Sequence, residues 1–300
     1  MRGRLLKNIF AGLLLCAGFS ATPQLLAQSG ADYTVNAEWA QLPDGKAWDG
    51  STSWISPDGK GNVVVLVRIA PYFRMFNRDG EFVKAWGDDE LFDTAHSVTF
   101  DPDGALWVTD STDHVVKKFS PEGELLMTLG KKGEAGDNTS HDAFNQPNHV
   151  GFAANGDIYV SDGYVNARVV HFTKDGQFVR IIGGVQGSAP GQLQVPHGVV
   201  VDSDGRILVN DSDNTRVSVF DKDGKFVESW AYPSRGGIVI GADDNIYISD
   251  VNAGIVNIVN DEGKLIDSVN VDRAHGLGVD TDGAIYVSGA SRMTVMKVTK

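Results

Sequence analysis

The chain has 300 residues, 42% of them hydrophobic, a formal net charge of −13 and one cysteine. That acidity argues against nucleic acid or anionic lipid as a partner, since their phosphates call for a basic surface. The length suffices for a sizeable core, and 35 glycines point to many tight turns.

Residues 1–27 read as an export leader: Arg2, Arg4 and Lys7, an apolar run from Ile9 to Phe19, and a small-residue cut after Ala27. The run is short for a membrane span. A lipid on Cys16 is the alternative, although Leu15 before it is larger than such processing prefers. Cleavage leaves a domain over 28–300 with no cysteine, no disulfide and a net charge of −16. Such a chain is expected to be secreted or periplasmic, with no transmembrane span in its mature part.

From residue 33 onward a unit of four short strands recurs, punctuated by Asp-Gly and Asn-Gly turns and free of helical periodicity. The last strand of each unit reads EFVKAW at 81–86, ELLMTL at 124–129, QFVRII at 177–182, KFVESW at 225–230 and KLIDSV at 264–269. A sixth unit stops after its third strand, MTVMKV, and the similar segment YTVNAEW at 33–39 supplies the fourth. The expectation is an all-β, six-bladed propeller closed by an N-terminal outer strand.

One position opens each unit: Trp54, His96, Asn148, His197, Gly236 and His275, with spacings of 52, 49, 39 and 39 residues from His96 on. Alternate units therefore carry histidine. Around a six-bladed ring, such units stand about 120° apart, so three imidazoles converge at one mouth of the channel. That arrangement suits zinc with an open fourth position. His114, His141, His149 and His171 fall outside the register and are read as structural.

The second strand ends in Asp110, Asp162, Asp211 and Asp250 in four units, where an aspartate caps turn amides. The first unit has Arg68 there, a candidate carboxylate clamp, and the sixth has Gly289. The third unit carries an extra residue in its turn that projects Tyr164, a candidate base beside a metal. The D-x-D-G turns lack an EF-hand's acidic twelfth ligand and helix. The glycines of IIGGVQGSAPG open no helix, and no serine nucleophile elbow is present.

The segments FNQPNHV, YVSDGYVNAR, GQLQVPHGVVV and AHGLGVDTDGAIYVSG resemble the NHL-repeat propellers and, within them, the peptidyl-α-hydroxyglycine α-amidating lyases. The resemblance covers nearly all of 28–300. It implies cleavage of an α-hydroxyglycine N–C bond to an amide and glyoxylate, zinc on His96, His197 and His275, Tyr164 as base and Arg68 as the active-site arginine. The sequence departs from the pattern at Ser212, where the family has arginine, and at Val165, beside the tyrosine. It departs again at Arg273, which would take up substrate binding, and at Gly276, which replaces a calcium-binding aspartate and puts calcium in doubt.

The implied partner is a peptide or small molecule with an α-hydroxyglycine-like end. Two other readings stand beside this one: a non-catalytic propeller that binds a peptide or protein, and a metal-dependent lactone hydrolase, for which the usual carboxylate ligands are not evident.

Overall fold

The computed structural model describes residues 33–46, 48–88, 90–290 and 293–300. The leader at 1–27, Cys16 and the domain start at 28 lie outside the described residues.

Valine- and isoleucine-rich runs pair through tight turns into six antiparallel sheets of four strands among the described residues. Five blades use consecutive strands, over 52–86, 95–130, 147–183, 196–230 and 238–270. The sixth joins three strands over 274–299 to Thr34–Asn36, with Thr34 opposite Thr299. This is the predicted closure by the N-terminal strand.

Both faces of each sheet are buried, because each packs on a neighbouring blade. Six apolar clusters fill the six interfaces, and together they form a ring-shaped core. At the seam between blades 6 and 1, Trp39 is wedged against Tyr286 and Phe76, with ring centroids 4.9 and 5.8 Å away. Its indole N–H donates to the Arg78 carbonyl at 2.9 Å, so the wedge is also satisfied.

The innermost strands share one irregularity. Pairing skips a residue at Ser53, His96, Asn148, His197 and His275, each a bulge opposite the second strand. A bulge re-aims one side chain out of the alternating pattern, and here it aims that side chain at the channel mouth.

The structure corrects one expectation: in blade 1 the equivalent position is Ser53, not Trp54. Every such residue lies eight positions before a left-handed residue: Gly61, Gly104, Gly156, Gly205, Asp244 and Gly283. Counting back from Gly61, rather than from the first Asp-Gly of that unit, gives Ser53.

Trp54 has a different place. Its ring lies 5.8, 5.0, 6.0 and 5.4 Å from those of His96, His149, His197 and His275, residues of four other blades. The indole is 1% exposed and crosses the channel beneath the histidines. Room for it comes from the matching positions of other blades, which include Gly237 and Gly276. A Cβ on Gly276 would lie 2.6 Å from the Trp54 Cα. Beyond the indole the channel widens into a cavity of about 450 Å³ lined by Val98, Val150, Val200, Ile238 and Leu277.

Candidate metal centre

The three predicted histidines converge. His96, His197 and His275 are buried, their ring centroids are 5.1 to 5.2 Å apart, and their ligand atoms lie within 4.8 Å of one another. The intervening blades hold them in place. His96 Nδ1–H donates to the Asn148 carbonyl at 2.7 Å, His197 Nδ1–H to Gly236 at 3.0 Å, and His275 Nδ1–H to Ser53 at 2.9 Å.

Each acceptor holds the matching position of the next blade, eight residues before its left-handed residue. The ring therefore alternates ligand and carbonyl, which fixes the tautomer and leaves three Nε2 lone pairs facing the mouth. Burial, reinforced by the neighbouring imidazoles, holds His96 and His197 well below the usual imidazole range, and burial brings His275 to about 4. Three neutral, oriented imidazoles with no carboxylate among them are close enough to hold a metal ion, and the set fits zinc with a position to spare.

Tyr164 sits over this triad. Its hydroxyl is 2.7 Å from His96 Nε2 and 3.4 Å from His197 Nε2. With Nδ1 protonated, His96 Nε2 accepts, so the phenol donates. Burial raises the Tyr164 pKa, and the charges of Arg68 and Arg235 with the Asn148 amide pull against it. Arg68 extends from the end of Asn62–Val67 and its Nε and guanidinium donate to Ser53 Oγ at 3.3 and 3.2 Å. Ser53 in turn donates to the His96 carbonyl at 2.6 Å, which links the arginine to the triad's backbone.

Comparisons with known proteins place the fold among propellers. The SMP-30/Gluconolactonase/LRE-like family model matches residues 96–239. NHL repeat-containing protein 3 of Homo sapiens is 30% identical over 211 residues, 66% of this chain and 59% of that protein. Peptidyl-glycine alpha-amidating monooxygenase B of Xenopus laevis is 37% identical over 145 residues, 46% of this chain and 16% of its own length. Peptidyl-alpha-hydroxyglycine alpha-amidating lyase 2 of Drosophila melanogaster is 28% identical over 177 residues, 57% of this chain and 41% of its own.

The chain thus spans less than two thirds of the length of these relatives. Among solved structures, virginiamycin B lyase from Staphylococcus aureus superposes with a TM-score of 0.64 at 12% identity, covering 90% of this chain and 100% of that one. A gluconolactonase from Xanthomonas campestris gives 0.68 at 14% identity, covering 90% of each chain. The chain is an SGL/NHL-like six-bladed propeller.

On this NHL-like propeller the predicted structural histidines are where the register puts them. His149 packs on the far side of Trp54, with Nε2 3.1 Å from Thr99 Oγ1. His141 stacks on Phe178 and His171 on Tyr159. The strand-end aspartates cap turns: Asp110 accepts from the backbone of Asp93, Thr94 and Asp113, and Asp250 from Arg235, Asn252 and Ala253.

In blades 3 and 4 the aspartate also pairs with an arginine that pins a long loop beside the mouth. Arg168 bonds Asp162 at 2.9 Å and the Ala143 carbonyl at 2.7 Å. Arg216 bonds Asp211 at 2.9 Å and the Gln192 carbonyl at 2.8 Å.

Nothing at position 276 would hold a calcium ion. Gly276 offers no carboxylate, and the space its side chain would take is filled by Trp54 and Ser288. Arg273 does not bond to the triad. It takes a left-handed backbone (φ 52°) two residues before His275, and its Nε is buried without a partner among the described residues.

One residue escapes sequence reasoning, and another is named by its place in the repeat but given no role. Arg235, just before Gly236, lies near enough for its charge to act on His197, His275 and Tyr164, whereas Ser212 is tied to the neighbouring Ser234 carbonyl at 3.2 Å. Asn148 is fully buried and its Nδ2 has no partner among the described residues. For Asn148 the signal was its place in the repeat; for Arg235 there was none beyond adjacency to Gly236.

Proposed function

We propose that this protein is a zinc-dependent lyase acting on a peptide or small molecule that ends in an α-hydroxyglycine-type group, releasing an amide and glyoxylate. One observation carries the reading: three Nε2 atoms, fixed by carbonyls of the intervening blades, face a tyrosine hydroxyl 2.7 Å from one of them.

Bound zinc would supply Lewis acidity at the substrate oxygens and ease loss of the hydroxyl proton. The hydrogen bond that Tyr164 donates to the His96 lone pair would give way to a metal there, and the nearby cation would offset the burial that raises the Tyr164 pKa, so that its proton is released to solvent. The resulting phenolate takes the proton of the carbon-bound hydroxyl. The oxygen's electron pair closes to C=O, the C–N bond breaks, and the departing amide nitrogen takes the proton back from Tyr164. Arg68 holds the carboxylate that becomes part of glyoxylate, its guanidinium aligned by Ser53. The leader at 1–27 would place this chemistry in the secreted or periplasmic space.

The amidating relatives of Xenopus laevis and Drosophila melanogaster support the substrate class. The alternative, a non-catalytic propeller that binds a peptide or protein partner, is favoured by the NHL repeat-containing relative, which matches the larger share of this chain.

Purified protein loaded with zinc and given a benzoylated α-hydroxyglycine should release glyoxylate and benzamide in equal amounts. No release from fully loaded protein would remove the lyase reading and leave the binding one. Metal analysis of wild type beside His197→Ala should show zinc in the first and little in the second.

A further inference from the structure

The three histidines divide the mouth into three sectors, each opened by a blade without a ligand. Blade 1 fills its sector with Ser53 and Arg68, and blade 3 fills its own with Asn148 and Tyr164. Blade 5 has Gly236, where a Cβ would meet Ser249 Oγ at 2.4 Å and the Ala274 carbonyl at 2.7 Å, so no side chain can occupy the position. The residues beside it are arginines: Arg235 just before Gly236, and Arg273 just before Ala274, whose carbonyl faces Gly236; the charge of each acts on His275.

The pairing of arginines across the molecule singles out this mouth. Arg74, Arg78, Arg168, Arg180, Arg206, Arg216 and Arg235 each pair with an aspartate. Among the described residues the two that do not are Arg68 and Arg273, both at the triad. In a chain of net charge −13, where carboxylates outnumber cations, two guanidiniums without counterions at one opening mark it for an anionic ligand.

Arg273 has a buried, unpartnered Nε and a backbone conformation that a long side chain rarely adopts. The aspartate that Arg235 holds, Asp213, is 41% exposed, and so weak a surface pair can yield to a ligand. Arg68 comes from blade 1 and Arg235 from blade 5, the blades on either side of the one that carries His275 and Arg273. A single small carboxylate on Arg68 would leave the pair unused.

We infer that Arg235 and Arg273 form a second anion subsite, selecting substrates whose residue before the α-hydroxyglycine-type end is acidic. This rests on the substrate class proposed above. The amide-side residue would lie over blade 5 with its side-chain carboxylate on the two guanidiniums, while the terminal carboxylate stays on Arg68.

The test needs no turnover in its first arm. Zinc-loaded wild type, titrated calorimetrically with N-acetyl-Glu-Gly and N-acetyl-Gln-Gly, should bind the acidic dipeptide about tenfold more tightly, as charge-assisted hydrogen bonds require. Arg235→Gln with Arg273→Gln should bring the two affinities together, and the lysine pair at both positions should restore part of the preference. In the second arm, kcat/KM for acyl-Glu-α-hydroxyglycine over acyl-Gln-α-hydroxyglycine should follow the same order.

Equal affinity of wild type for the two dipeptides overturns the subsite, whatever the variants do. A dipeptide preference lost in the glutamine pair, with no glyoxylate from either substrate, upholds the subsite and removes the lyase reading instead.

Discussion

A histidine in this ring owes its direction to an atom that never meets the ligand. Nδ1 is committed to a backbone carbonyl in the next blade, so the choice of Nε2 as the free nitrogen is made by the fold. Tyr164 is the side chain most exposed to test. Its hydroxyl is the one group of the proposed reaction that can be removed without disturbing a ligand's backbone anchor. Tyr164→Phe should keep its metal and lose about a hundredfold or more in kcat, read by glyoxylate release with metal content measured on the same sample. Loss of metal along with activity would recast Tyr164 as a structural lid on His96.

At the scale of elements, the bulge at the start of the inner strand and the aspartate at the end of the second form one device in blades 2 to 4, repeated with different cargo. The bulge turns a side chain to the mouth, and the aspartate ties the turn beside it. Blade 3 adds a fully buried ion pair of Arg168 and Asp162 that also fastens the 131–146 loop. Removing one partner of such a pair strands the other, so Arg168→Met should cost about 3–5 kcal/mol in urea unfolding. The loop should also become cleavable under brief protease treatment. A variant as stable and as resistant as wild type would show that the loop is held by its own turns.

The strand count and the triad are legible in the sequence because they are periodic: a fixed offset from the Asp-Gly turn is a local signal that needs no knowledge of packing. Ser53 is illegible by eye because that unit contains two glycines, Gly59 and Gly61, and only the second takes the turn position. Arg235 is hidden for another reason: it belongs to no motif, and only its place before Gly236, in the blade next to the one that carries His275, gives its charge a bearing on the triad.

For the molecule as a whole, stability is shared around six interfaces, and the seam holding Trp39 joins the two ends of the chain. Trp39→Ala should cost about 3–5 kcal/mol, the price of a large buried side chain, and should do so although the residue lies far from the mouth. Thermal unfolding with far-ultraviolet dichroism would read it; a change below 1 kcal/mol, within roughly the scatter of surface substitutions, would mean the ring closes without the wedge.

Acid acts on the channel as a unit. Burial lowers His149 to about 4, below the value near 6.5 of an unfolded histidine, so the neutral form belongs to the fold. The stability it contributes is complete above about pH 6.5 and is lost as the pH falls toward 4. Urea unfolding of metal-free protein should show a loss across that window of roughly 3 kcal/mol from this residue, and His149→Asn should flatten the slope. An unchanged slope would assign the acid limb elsewhere.

The indole of Trp54 turns a tunnel into a blind well. Whatever reaches the histidines must back out through the doorway by which it came, and the chamber on the far side of the indole is walled off from them.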